Sequence, residues 1–353
     1  MRVLKLNKKH ISEVIVMSGI VSPITATAEK LCSGEQIKLG RYSIKNAKHL
    51  SFTCNLANIG EGKLLVGHGY GVSGCSWLEI DKEEVRGYKF YTYSDPNTIP
   101  LFSEPIKHNL AVRDTLTVVI DVNPFEQTAY FIVATSSGAV KQEIRGWDGV
   151  DGDIFASVEG CEVTDCKLNW FSDAFSRKIW LLGDSYIGIN NPMRWPYYLY
   201  RDGCQAHLIS GYPGMPSEKS AEEFARYVEL GTPEYAVWML GMNNADIPDG
   251  ISPGYLRATT EFLEICKQRG ITPILATIPN VPGRINSYKN EWVRASGYRY
   301  IDFARAVGGI APDSEWYPDM LYSDRVHPCA KGAEALYLQI LCDFPEIMQR
   351  SNT

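Results

Sequence analysis

The chain has 353 residues, 45% hydrophobic and 22% charged, with a formal net charge of −6. That acidic balance excludes nucleic acid as the main partner, because phosphate binding needs a basic face. No apolar stretch reaches the ~18 residues of a membrane span, and the length suggests two domains, each able to bury a core.

At the N-terminus, Lys5, Lys8, Lys9 and His10 precede an apolar stretch, Val14 to Ile24, and Ala26-Thr27-Ala28 resembles a cleavage site. This is a weak export signature. Glu13, Gly19 and Pro23 interrupt it, and an opening β-strand is the preferred reading. Short β-rich segments follow: Ser51–Leu56, Lys63–Val66, Trp77–Ile80, Tyr88–Tyr93, Leu116–Ile120 and Thr128–Val133. Gly, Asn, Asp or Pro separates them and no helical period competes, which predicts an all-β sandwich or jelly roll.

Within this region, Gly67-His68-Gly69-Tyr70-Gly71 reads as turns between strands, without the lysine and serine of a phosphate loop. Trp77, Tyr88, Tyr91, Tyr93, Trp147 and Trp170 are either core and domain-interface residues or a sugar-stacking platform. His68 and His108 read as structural. The nine cysteines include no CxxC and no Cys/His cluster at zinc spacing. They predict idle thiols in a reducing compartment and no metal site. A short polar connection, Ser172 to Ser176, puts the boundary near residue 175, giving domains 1–175 and 176–353.

Beyond 177 the rhythm becomes strand, loop, helix. The strand candidates are Ile179–Leu182, Ala206–Ile209, Tyr235–Leu240, Pro273–Ile278 and Tyr298–Phe303. Ser220-Ala221-Glu222-Glu223 reads as a capping box opening one helix. A second helix spans Tyr255 to Arg269 and stops at Gly270, and a third runs from Ala330 to Leu341. Buried strands alternating with helices predict a doubly wound α/β domain on a parallel sheet.

Four pieces fall at or near strand ends: Gly183-Asp184-Ser185, Gly211 to Ser217, Gly241-Met242-Asn243-Asn244, and Asp324-Arg325-Val326-His327-Pro328. Together they supply what acyl transfer needs. Ser185 is a nucleophile once a base takes its proton, and His327 can do so. Asp324, three residues earlier, can reach imidazole Nδ1 through a turn. Pro328 holds His327 extended. Backbone N–H groups of Ser185 and of Gly214, or of Gly211 in its place, and the Asn243 amide can receive an oxyanion.

The four pieces, in this order, resemble the four sequence blocks of the SGNH (GDSL-type) hydrolase superfamily over roughly 178–345. The resemblance implies a flavodoxin-like domain with a five-stranded parallel sheet in the order 2-1-3-4-5. It also implies Ser185 as nucleophile, Asp324 and His327 as the rest of a triad, and Ser185, Gly214 and Asn243 as the oxyanion hole. Asn244 stands where the third block often has Asp, which predicts altered loop bonding. Tyr186 replaces the usual Leu and is expected to pack beneath the serine.

An all-β domain ahead of such a domain is similar to the layout of some carbohydrate esterases. The expected activity is hydrolysis of short acyl esters, acetyl above all, on a small molecule or oligosaccharide, without metal or organic cofactor. Lysophospholipid, thioester or aryl-ester hydrolysis is the alternative, and a carbohydrate-binding protein with a vestigial hydrolase domain is another. Trp195 and Trp292 are candidate substrate contacts. Trp195, Tyr197 and Tyr198 follow the serine closely, while Trp292 and Trp316 are read as loop residues; any of them could be core instead. A cytoplasmic location is expected, with secretion as the alternative, and the oligomeric state is open.

Overall fold

A computed structural model describes residues 24–42, 48–57, 59–70, 75–91, 95–123, 128–147, 152–172, 177–187, 192–204, 207–208, 214–309, 311 and 314–348. The chain divides into two units, Met1–Asp173 and Ala174–Thr353.

The first unit contains β1 (Ile24–Leu31), β2 (Gln36–Tyr42), β3 (Lys48–Leu56), β4 (Lys63–Tyr70), β5 (Cys75–Ile80), β6 (Glu84–Tyr91) and β7 (Asp95–Pro100). It continues with β8 (Ile106–Lys107), β9 (Asp114–Asn123), β10 (Thr128–Thr135), β11 (Gly138–Arg145), β12 (Gly152–Glu159) and β13 (Val163–Ser172). They form two antiparallel sheets, ordered β1-β13-β3-β9-β10-β11 and β2-β12-β4-β5-β6-β7, with β8 on β6. Alternation sets which face is buried. Leu50, Phe52 and Cys54 lie opposite Ile120, Val118 and Leu116, and all six are buried. In the other sheet, Leu64 and Val66 face Ile80 and Leu78, also buried. Such cross-strand apolar pairs on one face hold the register.

One expectation is corrected here and one alternative narrowed. Gly67-His68-Gly69 is strand, not turn, because β4 continues through it. Gly67 lies opposite Trp77, and a Cβ there would sit 2.6 Å from the Trp77 Cα, so only glycine fits. The six aromatics do not make one platform. Trp147 and Trp170 are buried, the former edge-on to the His68 ring at 5.8 Å. Trp77 and Tyr88, directly opposite each other, remain half-exposed with ring centroids 5.7 Å apart. The side chains of Tyr91 and Tyr93 lie outside the described residues, as does the apolar stretch before Ile24. The Ala26-Thr27-Ala28 triplet lies within β1 and pairs with β13. His108 is structural, with its ring bonded to the Asp81 carbonyl and the Leu110 N–H. All nine cysteines are free thiols.

The second unit contains β14 (Ile179–Gly183), β15 (His207–Leu208), β16 (Tyr235–Met239), β17 (Thr272–Ala276) and β18 (Tyr300–Ile301). They form one parallel sheet ordered β15-β14-β16-β17-β18, which counted within the unit is 2-1-3-4-5. Its helices are α1 (Trp195–Arg201), α2 (Ser217–Tyr227), α3 (Pro253–Arg269), α4 (Ser287–Ala295), α5 (Phe303–Gly308) and α6 (Ala330–Asp343). Alternate residues of β16 face different helices. Trp238 stacks on Phe262 of α3 at 4.6 Å, and Phe224 of α2 meets both Phe262 and the β14 residue Trp180. Met239 and Tyr235, pointing the other way, meet Trp195 of α1 and Phe344 after α6.

Gly270 ends α3 in the left-handed conformation, φ 69°, as its position predicted. The expected capping box is absent. The helix starts three residues earlier, at Ser217, and Asn244 caps it from another loop, accepting from the Ser217 N–H at 2.8 Å.

Candidate active site

The functional pieces lie where β14 and β16 end and in the loop before α6. Residues 179–187 are buried with one break, Ser185, which is half-exposed at the top of the turn. The turn closes by Ile187 N–H donating to Asp184 O at 3.2 Å and Tyr186 N–H donating to Asp184 Oδ1 at 3.1 Å. An aspartate bonding the backbone two residues on is the Asx device that makes such a turn tight.

Ser185 Oγ lies 2.8 Å from His327 Nε2. On the far side of the ring, Nδ1 lies 2.7 Å from Asp324 Oδ2. The other carboxylate oxygen accepts from the Val326 and His327 backbone N–H groups, both at 2.9 Å. Partial burial pushes the Asp324 carboxyl up. The two backbone N–H groups and the imidazole outweigh it and hold the carboxyl down at about 2. The aspartate thus stays an anion, bonded through one oxygen to its own loop and through the other to the ring.

That loop is pinned at both ends. Tyr322 N–H donates to the His327 carbonyl at 2.8 Å, and Cys329 N–H to Met320 O at 2.9 Å. Arg325 takes a left-handed φ of 58° at its apex. Tyr186 supports it from below. The buried ring centres 5.8 Å from that of His327, and its hydroxyl donates to the Val326 carbonyl. Tyr186 therefore packs beneath the histidine as well as beside the serine.

Asn243 sits in the turn Gly241–Asn244, closed by Asn244 N–H to Gly241 O at 3.0 Å. Its Nδ2 donates to Asp184 Oδ2 at 3.2 Å and to the Met215 carbonyl at 3.1 Å. One amide thus links the serine turn to the segment after Gly214. Gly214 is exposed with φ 71°, a conformation that favours glycine. Gly211 lies outside the described residues. Besides capping Ser217, Asn244 donates to Glu218 Oε2 at 2.9 Å, a bond that an aspartate in its place could not donate.

The two tryptophans proposed as substrate contacts fare differently. Trp195 is fully buried, with its indole N–H pointed at Met239 Sδ at 3.1 Å and its ring 5.5 Å from Phe303. It is core, because α1 turns that face onto the sheet. Trp292 lies on α4 rather than in a loop, half-buried and edge-on to the Tyr255 ring at 6.3 Å. Nothing places it with Ser185. Trp316 does sit in a loop but is buried, 6.2 Å from Tyr186.

Other polar groups at the site lack a strong sequence signal. Arg284 Nη1 lies 3.4 Å from Asn243 Oδ1, presented by the tight turn Val281–Arg284. Arg194 donates to the Met193 carbonyl, and burial lowers its pKa, against the opposing pull of the Asp324 and Asp184 charges. The gap lined by Asp184, Tyr186, Met239, Met242, Ile278 and Pro279 has no room for a water molecule. Among the described residues no group of three or more His, Cys, Asp or Glu side chains is placed to hold a metal, and no helix is long and apolar enough to cross a membrane.

No family model and no curated protein matches the chain. Solved structures do. A carbohydrate esterase family 3 protein from Talaromyces cellulolyticus is similar at 18% identity and a TM-score of 0.39, over 49% of this chain and 96% of that one. A lipase/acylhydrolase from Enterococcus faecalis is similar at 22% identity and 0.37, over 50% of this chain and 100% of that one. The CBM2 module of the evolved Dit of Lactobacillus casei BL23 phage J-1 is similar at 14% and 0.28, over 44% and 77%.

Proposed function

We propose that the second unit is a serine esterase of the SGNH kind, built as a doubly wound domain, that hydrolyses short acyl esters through an acyl-serine. One observation carries this reading: the continuous chain from Ser185 Oγ to His327 to Asp324, at 2.8 and 2.7 Å. His327 Nε2 takes the hydroxyl proton as Ser185 Oγ attacks the ester carbonyl. Asp324, an anion bonded to Nδ1, stabilises the imidazolium. The oxyanion forms against the N–H groups of Ser185 and Gly214 and the amide of Asn243. Collapse expels the alcohol, which leaves with the proton from His327, and water then releases the acid by the same steps.

In the resting arrangement both hydrogens of the Asn243 amide have acceptors, the Asp184 carboxylate and the Met215 carbonyl. The oxyanion takes one of them over, a tightening common between free enzyme and transition state. Acetyl is the proposed acyl group. A carbohydrate ester is the proposed substrate. The first unit, read as a β-sandwich, offers the half-exposed Trp77–Tyr88 pair as a surface for a sugar ring, which supports that choice.

The test is hydrolysis of p-nitrophenyl acetate, longer p-nitrophenyl esters and an acetylated xylo-oligosaccharide by the wild type and by Ser185→Ala. Turnover by the wild type that disappears in the variant is the expected result. Preference for long acyl chains would move the assignment to a lysophospholipase or thioesterase. A wild type that is inactive on all of them and unlabelled by a fluorophosphonate would leave a vestigial site and end the esterase reading.

A further inference from the structure

Behind the turn that carries Asn243 lies a lysine with no exposed side-chain surface. Lys289, on α4, is 0% exposed and its partner Asp246 1%. The ammonium donates to Asp246 Oδ1 at 3.0 Å and to the backbone carbonyl of Asn244 at 2.6 Å. It also lies 5.5 Å from the ring centre of Tyr255, which is itself buried. Burial pushes the lysine's pKa down, and Asp246 opposes that shift.

Stability alone gives little reason for such a pair. Removing both charges from water is expensive, and a well-packed apolar pair of similar volume is often as stable. What an apolar pair cannot supply is the third partner, the carbonyl of the residue after Asn243. The lysine stem meets the same turn at its other end. Gly241, with φ 128°, leaves its Cβ position 3.3 Å from Lys289 Cδ. Asp246 extends the tie, donating its N–H to Ile285 O at 2.8 Å and accepting from the Lys289 N–H at 3.3 Å. The ammonium therefore holds one end of the four-residue turn, while the lysine stem runs beside the other.

We propose that Lys289 is a positioning residue for the oxyanion donor: its ammonium fixes the Asn244 carbonyl and, through the turn, the direction of the Asn243 amide. The proposal rests on the esterase reading of the site. Lys289 touches no reacting atom, so its influence runs wholly through Asn243.

The experiment is a mutant cycle on p-nitrophenyl acetate hydrolysis. Lys289→Met combined with Asp246→Asn removes both charges, and it is measured with and without Asn243→Ala. With Asn243 present, kcat should fall between ~10-fold and the ~10²–10³-fold seen when an oxyanion donor is lost, with KM changed by less than about twofold. In the Asn243→Ala background the same change should alter kcat by less than about twofold, because the group it positions is gone.

An equal loss in both backgrounds, or an unchanged kcat in a folded charge-free variant, overturns the proposal. Far-UV circular dichroism and a thermal melt establish folding. If the methionine variant does not fold, Lys289→Gln with Asp246→Asn runs the same cycle. A wild type unlabelled by fluorophosphonate removes the esterase reading and this proposal with it. A labelled, active wild type with an indifferent Lys289 removes only the proposal.

Discussion

Replacing Asp324 with Asn separates the aspartate's chemical role from its structural one. The Asn carbonyl can take the place of Oδ1 and keep both backbone bonds, from Val326 and His327 N–H. Its NH2 then occupies the Oδ2 position, 2.7 Å from His327 Nδ1. Two donors cannot face each other, so the ring must carry its proton on Nε2, which faces Ser185 and can no longer accept from it. In a serine protease triad the same change lowers kcat by ~10⁴, about 5.5 kcal/mol. Asp324 is 43% exposed, so water shares its role here, and ~10³, about 4 kcal/mol, is the expected loss. The fold should survive. A carboxyl held down at about 2, against an unfolded value of about 3.9, is worth at most ~2.6 kcal/mol. Solvent screening reduces that to ~1 kcal/mol. Because the folded pKa is the lower one, this contribution is whole above about pH 4 and is lost as pH falls through about 2. At neutral pH a folded, slow variant is expected. Asp324 also stays ionised through the working range, so it adds no second proton to the acid limb of kcat/KM in the wild type. The assay is kcat and KM on p-nitrophenyl acetate from about pH 5 to 9, beside a thermal melt. A folded Asp324→Asn enzyme within about tenfold of wild-type kcat would refute the argument.

Asn243→Ala should lower kcat by ~10²–10³ with little change in KM, since the amide meets charge that develops only in the transition state. The same assay reads it, and a change confined to KM would mean that Asn243 binds ground state instead. Trp195→Ala should destabilise the protein by ~3–5 kcal/mol, measured by urea titration, because the side chain is fully buried against Phe303 and Met239. A variant of native stability with a raised KM would return Trp195 to the substrate cleft.

Legibility in the sequence followed the range of the forces involved. The strands β14 and β16 are short apolar runs buried on both faces, one ending on Gly183 and the other just before Gly241, so their ends stood out along with the polar groups there. Gly270 is a local signal for a local event and was equally readable. The start of α2 was not, because its cap, Asn244, comes from 27 residues away. Trp195 misled because nearness in sequence to the nucleophile says nothing of which helix face it lies on. Lys289 gave no warning at all, since a lysine on a short helix ordinarily faces water. Its partner Asp246 lies 43 residues back. In the first unit, β11 escaped because its burial runs in blocks rather than alternating. Along β13 the register shifts between Thr164 and Lys167, around the left-handed Asp165. A shift of that kind breaks the period of two on which strand reading depends. Gly67 looked like a turn residue, while its actual constraint, the backbone of Trp77, lies on a neighbouring strand.

Three consecutive residues explain why the site is built on this turn. Asp184 points down, where it accepts from the Tyr186 N–H and from Asn243. Ser185 points up, to His327. Tyr186 points sideways, with its ring beside the imidazole and its hydroxyl on the Val326 carbonyl. His327, Val326 and Asn243 come from distant parts of the chain, yet each is bonded to one of these three consecutive residues. The distance from Oγ to Nε2 and the path from Oγ to the Asn243 amide are therefore set by one short, buried piece of backbone. In the proposed esterase, that arrangement would give acid–base transfer and oxyanion binding a common reference point, which is what preorganisation requires when both must act on the same carbonyl. The histidine loop can be loosened through the Tyr186 hydroxyl, whereas a change at Asp184 reaches both the amide and the serine turn.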